Sequence, residues 1–493
     1  MVATNPATDA AVNGAAAVPE ILRELGNHDL GSPLSRVRNL SVPVDPLRRY
    51  WMGKPPFEPR GDDAHLAGDL ESLLQWAYGV RASEWEQGMV ARMAPSAGAL
   101  YPSELLVLAE LGGAWRLLYH HAPSRALYPV PVSGAGALAA HLGLARGGQA
   151  VLVVSVLWRT LQRYGARGYR YCLMDAAHVA TQLTWAVGHF GGEARLRPDW
   201  VTREAQRALD LPCGEALVTA VELKVGAGPV PAPDCTAGPL PAASFAPGIE
   251  QPPSLSPVLR RALAFHDRTL SVSAPPGAIE PPPPPAPFPE IARRRCSAKG
   301  FLPGFLTQEA HRVLLQAARH FRPPLQPSPP LSMWALALRV DGTPCGQAME
   351  LSARGDRPLP GLTGDPAELG DAVARACQHQ QLLRDCALVL AVAAPLAELA
   401  LLEHAGYRHL ALNVGILCAH LYAQSAALGV GTTSIGGFFD GEVSSLLGGP
   451  GHHLIVVQAF GTPDQSVLKL DRARLVRSAG SHAHGLRSSK VTP

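Results

Sequence analysis

An internal repeat constrains the fold of this 493-residue chain more than any other feature. Four landmarks occur twice in the same order. In the first copy they are Leu73-Leu74-Gln75, the apolar run 151–158, a helix-like segment from Tyr169 and a strand-like run ending at Gly226. In the second copy they are Leu314-Leu315-Gln316, the apolar run 387–392, a segment from Tyr407 and a run ending at Gly461. Tyr169 and Tyr407 are 238 positions apart and the other offsets are similar, so we predict two copies of one domain.

Each copy combines a strand-like pattern with a helix-like one. The runs 151–158 and 387–392 are apolar and rich in valine and leucine. The segments that follow place apolar residues three and four positions apart, as in Leu173, Ala177 and Ala180. The first pattern is typical of a buried strand and the second of a helix. We therefore predict an α+β fold, with a sheet and flanking helices in each copy.

Composition divides the chain into five parts. Residues 227–290 hold 18 prolines, five of them consecutive, and are predicted to form an extended linker. Within this linker only Pro257–Leu270 has the apolar spacing of a short helix, which would pack on one copy. Residues 1–15 and 478–493 are predicted to be disordered. That leaves one domain at 16–226 and the other at 291–477.

Charge and cysteine content narrow the class of partner. The formal net charge is +3 and 17% of the residues are charged, so no strong field would attract nucleic acid or an anionic membrane. The longest apolar stretch contains Pro395 and Glu398, and we predict neither a signal peptide nor a membrane span. The eight cysteines are scattered, which is typical of reduced thiols in the cytoplasm. We expect a small molecule or a peptide as the partner.

A turn of small residues, Pro95-Ser-Ala-Gly-Ala-Leu-Tyr-Pro102, is the most specific motif. Small side chains let the backbone approach a flat ligand closely. The simpler interpretation is a turn in which Ser96 caps a short helix. The string resembles a segment of SagB-type flavin-dependent dehydrogenases, a branch of the nitroreductase superfamily that oxidises azoline rings in peptide natural products. The resemblance implies FMN as the cofactor, bound in part by Pro95, Ser96, Ala97 and Gly98.

Three polar residues alternate in the second copy at Arg295, Ser297 and Lys299. In an extended segment this spacing points the three side chains to one side, where two cations and a hydroxyl suit a phosphate and an electron-rich ring edge. A solvated basic patch is the alternative. Nitroreductase-like proteins have a similar Arg-x-Ser-x-Arg/Lys segment, and the resemblance implies that these residues hold the phosphate and pyrimidine edge of FMN. The first copy reads Pro-Pro-Phe-Glu-Pro at 55–59 and cannot do this.

A glycine segment, Ile435-Gly436-Gly437-Phe438, follows the long helix-like pattern of the second copy. Its glycines permit close approach of the backbone, although a glycine pair after a helix is also a common C-terminal cap. A similar segment of the SagB-type family lies over the flavin ring, which implies that Ile435, Gly436 and Gly437 bind the cofactor. The corresponding stretch of the first copy, 196–200, has no glycine.

The two copies have kept complementary motifs. The first has the small-residue turn, while the second has the basic triplet, the glycine segment and a proline-rich stretch, 324–331, in place of the turn. Members of the nitroreductase superfamily bind FMN at a dimer interface, with such motifs contributed by different subunits. The resemblance therefore implies two nitroreductase-like domains that form a pseudo-dimer within one chain. One composite FMN site would be active and the second site would be dead.

A third motif, Arg163-Tyr164-Gly165, precedes the helix-like segment of the first copy. SagB-type azoline dehydrogenases are similar here but have Lys-Tyr-Gly, whose lysine and tyrosine are needed for oxidation. Arginine stays protonated near neutral pH and is a poor general base. The resemblance therefore implies Tyr164 as the proton-transfer residue, with Arg163 stabilising negative charge or holding a carboxylate. Surface residues of a loop are the alternative interpretation.

The resemblance implies oxidation of a peptidyl thiazoline or oxazoline to a thiazole or oxazole, with FMN reoxidised by dioxygen. An azoline-containing peptide would be the substrate, and a cyclodehydratase or a carrier protein the partner. An NAD(P)H-dependent nitro or ene reductase of the same fold and a non-catalytic subunit of a biosynthetic complex are the alternatives. We predict no metal site, because Asp175 and His178, three positions apart, have no further ligands at suitable spacing.

Overall fold

The computed structural model describes residues 19–25, 55–59, 61–83, 91–132, 134–239, 256–270, 277–447, 449 and 451–466. These residues form two antiparallel sheets with helices packed against them. The segments 1–15 and 478–493, for which the sequence predicts disorder, lie outside the described residues.

The first half contains one antiparallel sheet. Its strands are β1 Ser103–Leu111, β2 Ala114–His121, β3 Ala126–Pro129, β4 Gln149–Val156, β5 Glu193–Leu196 and β6 Glu215–Lys224. Its helices are α1 Glu20–Leu25, α2 Asp62–Tyr78, α3 Ala135–His141, α4 Leu157–Tyr164, α5 Arg167–His189 and α6 Arg203–Ala208. The strands pair in the order β3-β2-β1-β4-β6-β5. The apolar run predicted as a buried strand is β4, at the centre of this sheet and buried along its whole length.

Two helices lie between the halves in sequence, α7 Pro257–Thr269 and α8 Phe288–Arg294. The second half then repeats the topology of the first. Its strands are β7 Phe301–Leu302, β8 Ser332–Ala337, β9 Ala348–Leu351, β10 Arg357–Pro358, β11 Leu388–Pro395, β12 Gly431–Ile435 and β13 His452–Pro463. Its helices are α9 Gln308–Arg319, α10 Pro366–Ala376, α11 Leu396–Leu399, α12 His404–Leu428 and α13 Asp440–Leu447.

The strand order β10-β9-β8-β11-β13-β12 matches that of the first half, with β7 paired to β13 in addition. Strands β8 to β13 therefore take the places of β1 to β6, and α12 takes the place of α5. The predicted α+β fold, with a sheet and flanking helices in each copy, is confirmed, and the internal repeat is visible as two antiparallel sheets of one topology.

Local sequence explains where several helices begin. The hydroxyl of Thr307 accepts a hydrogen bond from the backbone of α9, and that of Ser256 accepts one from the backbone of α7. Asp365 and Glu368 form a reciprocal capping box at the start of α10. Such caps satisfy backbone N–H groups that the first helical turn leaves unpaired.

The long helices α5 and α12 pack against each other and join the two halves. A Cβ atom at Gly415 would lie 2.6 Å from the Cβ of Ala177 and 2.7 Å from the carbonyl oxygen of Met174. Glycine is therefore required where α12 packs against this part of α5. One cluster of buried apolar residues includes both helices and strands of both sheets. The two halves thus share a core, as the predicted pseudo-dimer requires.

Two buried arginines at equivalent positions reach across this interface. Arg170 of α5 donates to the carbonyl oxygen of Leu454 in the second half at 2.9 Å. Arg408 of α12 donates to the carbonyl oxygen of Val201 in the first half at 3.5 Å. The repeated Tyr-Arg at the start of each long helix is therefore an element of the interface.

The proline-rich segment is more closely packed than its composition predicts. The short helix predicted at Pro257–Leu270 is present as α7, but it contacts both halves and not one. The ring of Phe265 packs on Tyr407 at a centroid distance of 5.7 Å, and the imidazole of His266 hydrogen-bonds the hydroxyl of Tyr169 at 3.0 Å. Proline lacks an N–H group but keeps its carbonyl, and the Trp185 indole donates to the carbonyl of Pro282 at 2.8 Å.

Helix α12 is long and apolar enough to cross a membrane by length and composition alone. However, 83% of its most apolar window is buried inside the protein, as expected of a core helix. All eight cysteines lie in the described part of the chain, and none forms a disulfide.

Candidate active site

The small-residue turn has an unusual backbone. Residues 97–99 form a short 3₁₀ helix, and φ is 62° at Gly98, 54° at Ala99 and 45° at Tyr101. Ser96 precedes this helix but makes no side-chain capping bond in the described turn, so the simpler interpretation of Ser96 is wrong. Instead its hydroxyl accepts a hydrogen bond from the N–H of Tyr101 at 2.9 Å.

Asp175 of α5 anchors this turn. The Ser96 hydroxyl donates to Oδ2 of Asp175 at 2.6 Å, and the N–H of Ala97 donates to the same carboxylate at 3.2 Å. Burial raises the pKa of the Asp175 carboxyl to about 7, although these two hydrogen bonds lower it. The turn is therefore tied to the helix that forms the interface between the halves.

Arg163 and Tyr164 end α4 and lie against the turn. A Cβ atom at Gly98 would overlap the hydroxyl of Tyr164 and approach Cδ of Arg163 to 3.4 Å. The guanidinium carbon of Arg163 lies 5.7 Å from the centroid of the Tyr164 ring, within the range of a cation–π contact. Both side chains are partly exposed, and Arg163 forms no ion pair with a residue that the structure describes. The structure thus brings the predicted catalytic pair together with Gly98.

The glycine segment of the second half is bound by the first turns of α5. The hydroxyl of Tyr171 and the guanidinium of Arg167 both donate to the carbonyl oxygen of Gly436, the latter at 3.3 Å. Arg167 also donates to the carbonyl of Phe438 at 3.1 Å and pairs with Asp440. The rings of Tyr171 and Tyr164 meet edge to face at a centroid distance of 5.2 Å. A continuous chain of contacts therefore leads from the turn to the glycine segment.

The basic triplet approaches the site through Tyr422 of α12. The guanidinium carbon of Arg295 lies 5.7 Å from the centroid of the Tyr422 ring, and the hydroxyl of Ser297 lies 3.0 Å from the Tyr422 hydroxyl. The N–H of Ser434, beside Ile435, donates to the same hydroxyl at 3.1 Å. Lys299 is partly buried and forms no ion pair with any residue in the described ranges. Tyr422 therefore joins the triplet to the glycine segment, and the charge of Lys299 is available to a ligand.

His178 lies one turn after Asp175 on α5 and faces Tyr422. The two rings meet edge to face at a centroid distance of 5.6 Å. Burial, together with the nearby charge of Arg295, lowers the pKa of His178 to about 3, so the imidazole is neutral at pH 7. Asp175 thus contacts the turn, whereas His178 contacts Tyr422. No group of three or more His, Cys, Asp or Glu residues in the described part of the chain could hold a metal ion.

The equivalent region of the second copy has different chemistry. Asn413 takes the place of Asp175 and forms two hydrogen bonds with the backbone of Leu325, at 3.0 and 2.9 Å. His409 takes the place of Tyr171 and hydrogen-bonds the carbonyl of Pro327 at 3.1 Å. Leu402, in the place of Tyr164, has no ionisable proton. The second copy therefore lacks these three groups, and the dead second site stays a prediction.

Sequence reasoning missed four residues that assemble this site. The sequence presents Asp175 only as a possible metal ligand, and its motifs assign no role to Arg167, Tyr171 or Tyr422. Arg167 and Tyr171 follow the Arg163-Tyr164-Gly165 motif closely in the sequence, and this position indicates that they could belong to the same site. Tyr422 lies within an apolar helical pattern, and nothing in the sequence distinguishes it from a core residue.

Two antiparallel sheets of one topology, with paired long helices between them, define a nitroreductase-like fold. The structure aligns with a protein of Anabaena variabilis inferred to be a nitroreductase, with a TM-score of 0.61 and 20% sequence identity, over 83% of this chain and 90% of that chain. In sequence, residues 346–462 match the model of the nitroreductase family. This match lies wholly within the second half.

Other solved structures align with a smaller share of the chain. One is the E. coli microcin synthetase McbBCD complex with truncated pro-MccB17 bound, at 19% identity and a TM-score of 0.28, covering 45% of this chain and 94% of that chain. Another, from Desulfovibrio desulfuricans in complex with FMN, aligns at 15% identity and a TM-score of 0.25, covering 41% of this chain and 96% of that chain. No curated protein matches the sequence. The alignment with the Anabaena variabilis protein shows the fold.

Proposed function

We propose that the chain is an FMN-dependent dehydrogenase that oxidises a peptidyl thiazoline or oxazoline to the thiazole or oxazole. One observation carries the proposal: the three segments that resemble SagB-type dehydrogenases are in contact around the start of α5. Tyr164 lies against Gly98 of the turn, and Tyr171 joins Tyr164 to Gly436 of the other half. Segments far apart in the sequence and drawn from both halves thus form one composite site.

The residues present fit FMN. Lys299 offers a positive charge that no described acidic residue pairs with. Arg295 and Ser297, two residues of the same segment, contact Tyr422. Two cations and a hydroxyl suit a phosphate and a polar ring edge. His178 Nδ1 is buried without a partner among the described residues, as expected of a polar atom beside a ligand. Residues 95–98 and 435–437 would contact the ring. When bound, FMN supplies the two-electron acceptor, and dioxygen reoxidises it with formation of hydrogen peroxide.

Conversion of an azoline to an azole removes two hydrogens, one as a proton and one as a hydride that carries both electrons. Tyr164 lies against the turn and, as the phenolate, takes the proton from the ring carbon and becomes a neutral phenol. The guanidinium of Arg163 stabilises the phenolate of Tyr164 before the transfer, and it can also hold a carboxylate of the peptide. The substrate is a peptide supplied by a cyclodehydratase or a carrier protein in the cytoplasm, where all eight cysteines stay reduced.

The first experiment measures FMN released by acid from the purified, reconstituted chain. One composite site predicts one FMN per chain. Two FMN per chain would contradict the inference of a single composite site. A chain that binds no FMN would favour a non-catalytic subunit.

The second experiment compares azoline oxidation by the native chain, Tyr164→Phe and Tyr128→Phe. Tyr128 is a matched control because it is a tyrosine at the edge of the first sheet, outside the site. We expect Tyr164→Phe to lower kcat by about 100-fold or more with FMN content unchanged, because it removes the proton acceptor. Equal rates for both variants would refute the role of Tyr164. Turnover of nitroaromatics with NAD(P)H, without azoline oxidation, would favour the reductase.

A further inference from the structure

The carbonyl group of Gly436 is held from the other half of the molecule. Tyr171 and Arg167 both donate to its oxygen, and both belong to the first turns of α5. A Cβ atom at position 436 would lie 2.5 Å from Cζ of Tyr171, so only glycine allows the tyrosine to approach this close. The second half supplies the glycine segment, and the first half fixes its conformation.

These contacts also orient the next amide. In a trans peptide the carbonyl of one residue and the N–H of the following residue point in opposite directions. Holding the Gly436 carbonyl toward Tyr171 therefore directs the Gly437 N–H away from it. Gln380 donates to the Gly437 carbonyl at 2.9 Å and fixes the following peptide as well. Within the described residues no hydrogen bond occupies the Gly437 N–H, which is thus available to a ligand.

Tyr171 has a second contact with the proposed site. Its ring meets the ring of Tyr164 edge to face, and the Tyr171 side chain is itself buried, at 3% exposure. One side chain therefore holds the glycine segment through its hydroxyl and supports the proton-transfer residue through its ring.

We propose that Tyr171, assisted by Arg167, is a positioning residue that presents the Gly437 N–H to FMN. The proposal rests on the proposed function, since it requires FMN at the composite site. A fixed N–H dipole favours added negative charge on its ligand. The amide held by Tyr171 therefore favours reduced FMN over oxidised FMN.

The test compares Tyr171→Phe with Tyr169→Phe. Both variants lose a buried phenol hydroxyl from the same helix, but the Tyr169 hydroxyl bonds to His266 of α7 and not to the glycine segment. Two quantities are measured on each variant: the Kd of oxidised FMN, by flavin fluorescence, and the midpoint potential of the bound flavin. A variant that weakens binding of oxidised and reduced FMN equally leaves the midpoint potential unchanged. Only the loss of a positioning role therefore changes both the Kd and the midpoint potential.

We expect Tyr171→Phe to weaken binding of oxidised FMN about tenfold, the loss of one buried hydrogen bond. Binding of reduced FMN should weaken by about a further threefold, because the fixed N–H no longer favours its negative charge. The midpoint potential therefore falls. Tyr169→Phe should keep the native potential. Arg167→Lys, which keeps the charge beside Asp440, should shift the potential in the same direction by less, and it replaces Tyr171→Phe if that variant does not fold.

Three results would overturn the inference. The first is an unchanged potential in Tyr171→Phe and Arg167→Lys. The second is an equal shift in Tyr169→Phe, which would indicate a general effect of helix packing. The third is a native chain that binds no FMN, and this result alone would also refute the proposed function.

Discussion

Replacement of Asp175 by asparagine tests how the turn is anchored. The ordinary pKa of this carboxyl is 3.8, and burial raises its pKa in the folded chain to about 7. Between these two values the folded chain keeps the proton that the unfolded chain has lost. Folding therefore takes up a proton in this window, and the free energy of unfolding falls as the pH rises. Below pH 4 and above pH 7, Asp175 adds no further pH dependence.

The size of the effect follows from the shift. One pKa unit corresponds to about 1.4 kcal/mol, so a shift from 3.8 to about 7 amounts to about 4 kcal/mol across the window. In the folded chain its neighbours do not titrate there. Burial holds the pKa of His178 at about 3 and raises the pKa of the Cys172 thiol well above its usual range. Asp175→Asn has no ionisable group and should lose this pH dependence.

The assay is urea unfolding of the FMN-free native chain and of Asp175→Asn, between about pH 4 and pH 8. Other titratable groups contribute equally to both chains, so their contributions cancel in the difference between the two free energies of unfolding. As the pH rises across this range, we expect the free energy of unfolding of the variant to increase by about 4 kcal/mol relative to that of the native chain. Infrared spectroscopy gives an independent measurement, because the protonated carboxyl band of Asp175 should disappear near pH 7 and be absent in the variant. A difference that stays flat with pH, or a band that disappears near pH 4, would refute the reasoning.

Two further predictions concern glycines. Gly98→Ala should lower azoline oxidation about as much as Tyr164→Phe does, because the new methyl group overlaps the Tyr164 hydroxyl and position 98 has a positive φ. The measurement is steady-state kinetics. Equal activity of Gly98→Ala and the native chain would contradict this contact. Gly415→Ala should destabilise the chain by about 1–3 kcal/mol and weaken FMN binding, because its methyl group collides with the backbone of Met174. Gly188→Ala is the matched control on α5, because nothing beyond its chain neighbours and the backbone of its own helix lies within 4 Å of the added Cβ. Equal shifts of thermal unfolding in both variants would count against the helix crossing.

The sequence predicted those parts of the fold that depend on local pattern. The repeated apolar runs became β4 and β11, and both are central strands of sheets with one order. The predicted helix at Pro257–Leu270 is α7. Its contacts with both halves could not be predicted, because amphipathic spacing shows that a face is buried but not what covers it.

The site was predictable only where a motif is continuous in the chain. The turn, the Arg163-Tyr164-Gly165 motif and the glycine segment are short strings, and the structure brings them together. Asp175 was not assigned to the turn, because its bond to Ser96 joins residues 79 positions apart and depends on how α5 crosses the turn. The predicted convergence of Arg295, Ser297 and Lys299 stays a prediction, since Tyr422 contacts only the first two.

The shared core of α5 and α12 has a consequence for how the protein behaves in solution. Both halves of the composite site belong to one polypeptide, so their association is intramolecular and does not depend on protein concentration. A site built between separate subunits is lost on dilution, whereas this one persists at any dilution at which the chain stays folded. A substitution in one half also appears once per molecule, not twice. Each half can therefore specialise without a matching change in the other.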